Sequence, residues 1–128
     1  MKTKRLSEAN LMFREGVLVI EFSERNEINT KEAKEILEAA KKLTNNEVVP
    51  VILVDHHPTT RISPDARDIL SDAQHGFLRK CEAYVSAALS KRNLALLYIR
   101  YHKPENPAQV FSNFNAAWNW SMEILSQQ

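Results

Sequence analysis

The run Val48-Val49-Pro50-Val51-Ile52-Leu53-Val54 constrains this chain more than any other feature. It offers no polar side chain to water on either face. A strand of this kind is buried on both sides, which happens where helices cover both faces of a sheet with parallel strands. Pro50 has no N–H for a sheet ladder and so belongs at the start of the strand. The run ends abruptly in Asp55-His56-His57-Pro58-Thr59-Thr60-Arg61. In an open α/β sheet that polar segment falls at the carboxyl end of the strand, where such folds bind their ligands.

The rest of the chain supplies the layers. Leu11-Met12-Phe13 and Val17–Phe22 flank Arg14-Glu15-Gly16, a hairpin whose last loop position is left-handed and suits glycine. Asn29 is a good helix cap, with Glu32 three residues on, and Ala33, Ile36, Leu37, Ala40 and Leu43 follow at helical spacing until Asn45-Asn46. Ser63-Pro64-Asp65 starts a second helix with the stripe Ala66, Ile69, Leu70, Ala73 and Phe77. Ala83–Leu89 reads as a strand. Ser90 then caps a third helix with Leu94, Leu97, Tyr98 and Tyr101 as its apolar face. Pro104 and Pro107 close that helix, Val110-Phe111 is a short strand, and Asn113 caps a last helix bearing Phe114, Ala117, Trp118, Ile124 and Leu125. The predicted order is β-β-α-β-α-β-α-β-α: a mixed α/β sheet with an N-terminal hairpin and flanking helices. Residues 1–128 form one domain, with 1–9 as a flexible N-terminal extension.

Several function classes fall away. The chain has two glycines, Gly16 and Gly76, sixty residues apart. Phosphate-cradling loops of dinucleotide, P-loop and kinase-type enzymes need clustered glycines, so those classes are excluded. A net charge of +1 gives no concentrated basic surface for nucleic acid. The basic start Met1–Arg5 is not followed by the apolar stretch of a signal peptide, and no run is long enough for a membrane span. The one cysteine, Cys81, cannot form an internal disulfide. A cytoplasmic protein without cofactor or metal is expected.

The candidate site residues each have a plain structural role beside a functional one. Asp55, His56 and His57 suit a metal by ligand type, but adjacent side chains diverge and no second His/Cys cluster has ligand spacing, so a polar strand end is expected. Asp65, Asp68, Asp72 and His75 fall on one helical stripe, a cation or basic-partner site together with His57 on the functional reading, but expected as a solvated face with Asp65 and Asp68 favoured near the helix start. Ser63 is a possible phosphoacceptor, yet capping accounts for it. Ser90-Lys91-Arg92 reads as a helix start with exposed basic residues, with anion binding as its functional alternative. Trp118 belongs to the apolar arc of the last helix; Trp120 lies at its flank, over a sheet edge or a partner. Cys81 has no paired base and reads as a small buried hydrophobe.

The element order and these residues resemble small STAS-like domains, the anti-sigma-factor-antagonist fold related in shape to CRAL-TRIO lipid-binding domains. The likeness is to a branch of uncharacterised bacterial STAS-like proteins. It rests on Asn29–Ile36, Ile62–Asp68, Lys103-Pro104-x-x-Pro107-x-x-x-Phe111 and Ala117-Trp118-x-Trp120, and runs from Leu11 to Leu125. Phosphorylated members carry an Asp-Ser-Ser/Thr-Gly signature after the third strand. Here that place reads Ser63-Pro64-Asp65-Ala66, without the glycine, so the fold carries over and the phosphorylation switch does not.

The resemblance implies a non-enzymatic regulatory module. It would bind a protein partner through the loop after the third strand and the following helix: Asp55, His56, His57, Thr59, Thr60, Arg61, Ser63, Asp65 and Arg67. A homodimer is compatible with this reading. The alternative is a small-molecule or lipid carrier, which a cavity lined by Leu94, Leu97, Tyr98 and Phe77 would favour. An enzyme comes third, because no nucleophile, base and orienting group can be assembled from these residues.

Overall fold

The computed structural model describes residues 1–70 and 78–127. The elements run β1 (Lys2–Arg5), β2 (Ala9–Arg14), β3 (Val17–Phe22), α1 (Thr30–Thr44), β4 (Val49–Val54), α2 (Pro64–Leu70), β5 (Arg79–Val85), α3 (Leu89–His102), β6 (Ala108–Phe111) and α4 (Phe114–Ser126). Among the described residues they build one six-stranded sheet in the order β1-β2-β3-β4-β5-β6. The first three strands pair antiparallel, and β3 to β6 pair parallel through helical crossovers.

All six residues of β4 are buried, as a central parallel strand requires. Leu11, Ile20, Leu53, Tyr84 and Val110 face one another across five strands in a single row. That face packs against Ala33, Ile36 and Ala40 of α1, Ala66 and Ile69 of α2 and Ala95 of α3. The other face carries Val17, Val19, Ile52, Val54, Ala83 and Val85, and α4 covers it with Ala117, Trp118, Trp120 and Leu125. Trp120 covers the sheet edge, its ring 5.5 Å from that of Phe111 in β6. Pro50 is the second residue of β4, below the point where pairing with β3 begins at Leu18 and Val51, so its missing N–H costs no ladder bond.

Local signals act where the sequence places them. The Glu32 carboxylate accepts the Asn29 backbone N–H at 2.8 Å, and Asn45 ends α1 in the left-handed conformation. The β2–β3 loop is shorter than the three residues expected. Arg14 pairs directly with Val17, leaving Glu15 (φ 52°) and Gly16 (φ 81°) as a two-residue turn with both positions left-handed. Such a turn matches the natural twist of the strands it joins.

Four further expectations need correction. Lys2–Arg5, expected within a flexible extension, is an edge strand in antiparallel register with β2 (Lys2 with Phe13, Arg5 with Asn10). Its side chains are all exposed, so no apolar alternation marks it, and backbone pairing alone makes it a strand. The fourth of the anticipated strands begins at Arg79, not Ala83, and ends at Val85. Arg79 disguises the start: its guanidinium, 2 % exposed, donates to the Leu70 carbonyl at 2.6 Å and lies 3.6 Å from the Glu82 carboxylate. Third, Ser90 is not the cap of α3; Ala88 holds that position and Ser90 lies in the first turn. Fourth, the inward face of α3 is carried by Ala95, while Leu94, Leu97 and Tyr101 are 50 %, 60 % and 83 % exposed. Of the expected face only Tyr98 is half-buried, with its hydroxyl donating to the Arg67 carbonyl at 2.6 Å. Ala73 and Phe77 lie outside the described residues.

Candidate functional site

The polar segment leaves the sheet where Asp55 continues β4, its N–H donating to the Val85 carbonyl at 2.8 Å. The Asp55 carboxylate is 1 % exposed and fully engaged. One oxygen accepts from the Tyr84 hydroxyl of β5, and the other from Lys91 Nζ of α3 at 2.7 Å. Lys91 Nζ also donates to the Thr60 carbonyl at 2.7 Å. Thr60, 2 % exposed, turns its hydroxyl to the β3–α1 connection, donating to the Ser23 carbonyl and accepting the Arg25 N–H, each at 2.9 Å. Asp55 therefore joins β4, β5 and α3 through one carboxylate, and Lys91 extends the tie to the loop before α2. Burial, the Asp55 charge and the Asp55 hydrogen bond push the Tyr84 hydroxyl well above the usual phenol range, against a smaller opposing effect of the Arg67 guanidinium.

The far end of the loop is held as firmly. Ile28 forms a parallel bridge with Ile62, its N–H donating to the Arg61 carbonyl at 2.7 Å while the Ser63 N–H returns a bond to Ile28 at 3.0 Å. Ser63 then caps α2, its Oγ accepting the Ala66 N–H at 3.1 Å. The corner between β5 and α3 is pinned too: Arg92 donates to the carbonyls of Ser86 and Ala87 at 2.9 and 3.0 Å.

Between these fixed pieces lies an open cleft of about 350 Å³, walled by Pro58, Thr60, Arg61 and Ile62 of the loop, Arg67 of α2, and Ser90, Lys91 and Leu94 of α3, with Asp55 at its base. The nine residues singled out from the sequence thus divide. Arg61 and Arg67 face the cleft; His56 and Thr59 are exposed on the loop tip and His57 is half-buried there. Asp65 is exposed on the first turn of α2. Asp55, Thr60 and Ser63 hold the frame instead of offering a surface: the first two are buried and bonded inward, and the third caps a helix. Asp68 is half-buried, whereas Asp72 and His75 lie outside the described residues.

Tyr84, Lys91 and Leu94 belong to the site and have no signal in the segment Asp55–Arg67. Lys91 was visible only as part of Ser90-Lys91-Arg92 at a helix start. There the structure sets both cations on protein partners, Asp55 and the β5–α3 corner. Cys81 sits outside the site, buried in β5; burial pushes its thiol up to about 11, with Ser121 offsetting part of the rise.

Comparison with known proteins agrees with this architecture. The family model described as a domain of unknown function (DUF7793) matches residues 11–125. No curated protein matches. Among solved structures, the chain is similar to an uncharacterized protein of the DUF3478 family with a SpoIIAA-like fold from Shewanella loihica PV-4. The TM-score is 0.62 at 10 % identity, covering 94 % of this chain and 90 % of that one. At that identity the likeness is one of fold, and the fold is STAS-like, as the residue pattern led us to expect.

Proposed function

From the premise that this chain belongs to the DUF7793 family and has a SpoIIAA-like fold, we propose that it is a non-enzymatic regulatory module that binds a protein partner at the cleft beyond β4. The observation that carries this reading is the internal use of the site's chemistry. Asp55, Tyr84, Lys91 and Thr60 spend their donors and acceptors inside the protein, and what the cleft offers is shape, the exposed Arg61 and the half-buried Arg67 on a fixed frame. A preorganised loop lowers the ordering cost of engaging a partner. Loops at this end of the sheet can also vary without disturbing the core.

The carrier reading has less support. The apolar cavity beneath α3, between Phe22, Leu53, Leu70, Tyr84 and Tyr98, is about 30 Å³. That is far short of the roughly 300–1,000 Å³ of small-molecule sites, and the cleft of about 350 Å³ is open to solvent instead of enclosing a ligand. Leu94 and Leu97, which a carrier would turn inward, face solvent. No helix of the described residues is long and apolar enough to cross a membrane, and a cytoplasmic location fits the single unpaired Cys81.

The test is site-resolved cross-linking in the native cell. p-Benzoylphenylalanine placed at His56, Thr59 or Arg61 is expected to give protein adducts on irradiation, whereas the same group at Asn46 or Glu47, in the α1–β4 connection at the opposite end of the sheet, gives none. Adducts confined to the two control positions, or a lipid retained in the native mass spectrum of the purified protein, would overturn the reading.

A further inference from the structure

The cleft is not electrically neutral. Asp55 and Lys91 cancel each other at its base, which leaves Arg61 and Arg67 as its uncompensated charges. Neither forms an ion pair among the described residues, and the Arg67 guanidinium lies 5.8 Å from the Tyr98 ring centroid. The cleft also does not end at its rim. Ser90 and Leu94 line it, and with Leu97 and Tyr101 they recur at intervals of four, three and four along α3, so they form one stripe leading out of it. Leu94, Leu97 and Tyr101 are 50 %, 60 % and 83 % exposed. α3 itself carries Lys91, Arg92 and Arg100 and no acid. A basic notch thus continues into an apolar ridge with the exposed Arg100 beside it.

Taking the cleft as the partner site proposed above, we infer that the partner docks an acidic amphipathic segment. Its carboxylates enter the cleft to meet Arg61 and Arg67, and its apolar side chains lie along Leu94, Leu97 and Tyr101. Guanidinium and carboxylate form charge-assisted, often bidentate hydrogen bonds, which fix orientation as well as adding affinity. The apolar stripe supplies the area that such pairs alone lack. A second copy of this chain fits worse, because its own α3 would bring Arg100 and a matching basic rim against the same charges. A flat anionic bilayer satisfies the charge but not the concave notch that holds it.

A random-peptide library selected against the full chain tests the inference. The enriched peptides are expected to combine Asp or Glu with Leu, Ile or Phe. By fluorescence anisotropy their affinity should fall at least about tenfold both in Arg61→Ala and in the Leu94→Ser, Leu97→Ser double variant. These residues are exposed, so the variants should keep the wild-type melting temperature. A charge swap guards against indirect effects: Arg61→Glu should reject the acidic peptides and accept versions with Lys in place of the acids. Enriched peptides without acids, or binding indifferent to these variants, would overturn the inference while leaving the cross-linking result at His56 and Thr59 intact. So would sedimentation with phosphatidylserine vesicles, or a concentration-dependent dimer, that is lost in the Leu94→Ser, Leu97→Ser variant. Loss of the cross-links at the loop would instead remove the partner-site reading itself.

Discussion

Lys91 Nζ lies 2.7 Å from Asp55 Oδ1, tying the first turn of α3 to the carboxyl end of β4 across thirty-six positions of sequence. The carboxylate is 1 % exposed and the lysine side chain 13 %, so the pair is held largely out of water. Replacing Lys91 with methionine leaves a buried carboxylate without its countercharge. The expected loss is about 3–5 kcal/mol in urea unfolding. The Asp55→Asn, Lys91→Met double variant should lose much less than the sum of the single losses. Equal, additive losses would mean that the pair is not coupled.

Ser63 is the cap of α2, and its substitutions should behave accordingly. Ser63→Ala is expected to cost about 0.5–2 kcal/mol, and Ser63→Asp to be nearly neutral because aspartate caps as well. Stoichiometric phosphate on Ser63 in protein isolated from its own cells would contradict a purely structural role.

The alkaline limit of stability should be set by two buried acids of β5. Burial holds the Cys81 thiol at about 11 against an ordinary 9.0, and Tyr84 is raised by burial and by Asp55. Both are neutral when protonated, so above the unfolded-state value the unfolded chain loses protons that the native chain retains. Their contribution is therefore complete below pH 9, and it declines as pH rises toward 11 for Cys81 and further for Tyr84. Chemical denaturation should show stability falling from about pH 9 upward. Cys81→Ala should flatten the first part of that fall. Native Cys81 should also resist thiol reagents at pH 8 until the protein is unfolded.

Gly16 is the position where the hairpin tolerates least. Its φ is +81°, and a Cβ there would come within 3.0 Å of Leu125 Cδ2 on α4. Gly16→Ala should cost about 1–2 kcal/mol from the left-handed backbone alone. Adding Leu125→Ala should not recover that part. Full recovery in the double variant would assign the whole cost to the side-chain contact.

What the sequence determined by itself was everything with a local cause. The run Val49–Val54 could only be a strand covered on both faces, Asn29 and Glu32 could fix a helix start within one turn, and Ser63-Pro64-Asp65 could do the same for α2. The loop beyond Asp55 followed from those elements, whereas the wall that α3 adds to make it a cleft did not. The tertiary structure decided what depends on partners far along the chain. Lys2–Arg5 is a strand because β2 offers it hydrogen bonds, since its side chains carry no pattern. Arg79 is interior because the Leu70 carbonyl and the Glu82 carboxylate receive it. α3 turned Ala95 inward and Leu94, Leu97 and Tyr101 outward, because Lys91 and Tyr98 on the same helix are held by Asp55 and Arg67. Apolar periodicity tells which residues could be buried together. The rotation a helix finally adopts is set by the few buried polar pairs that cannot be left unmade, and those are not written in neighbouring positions.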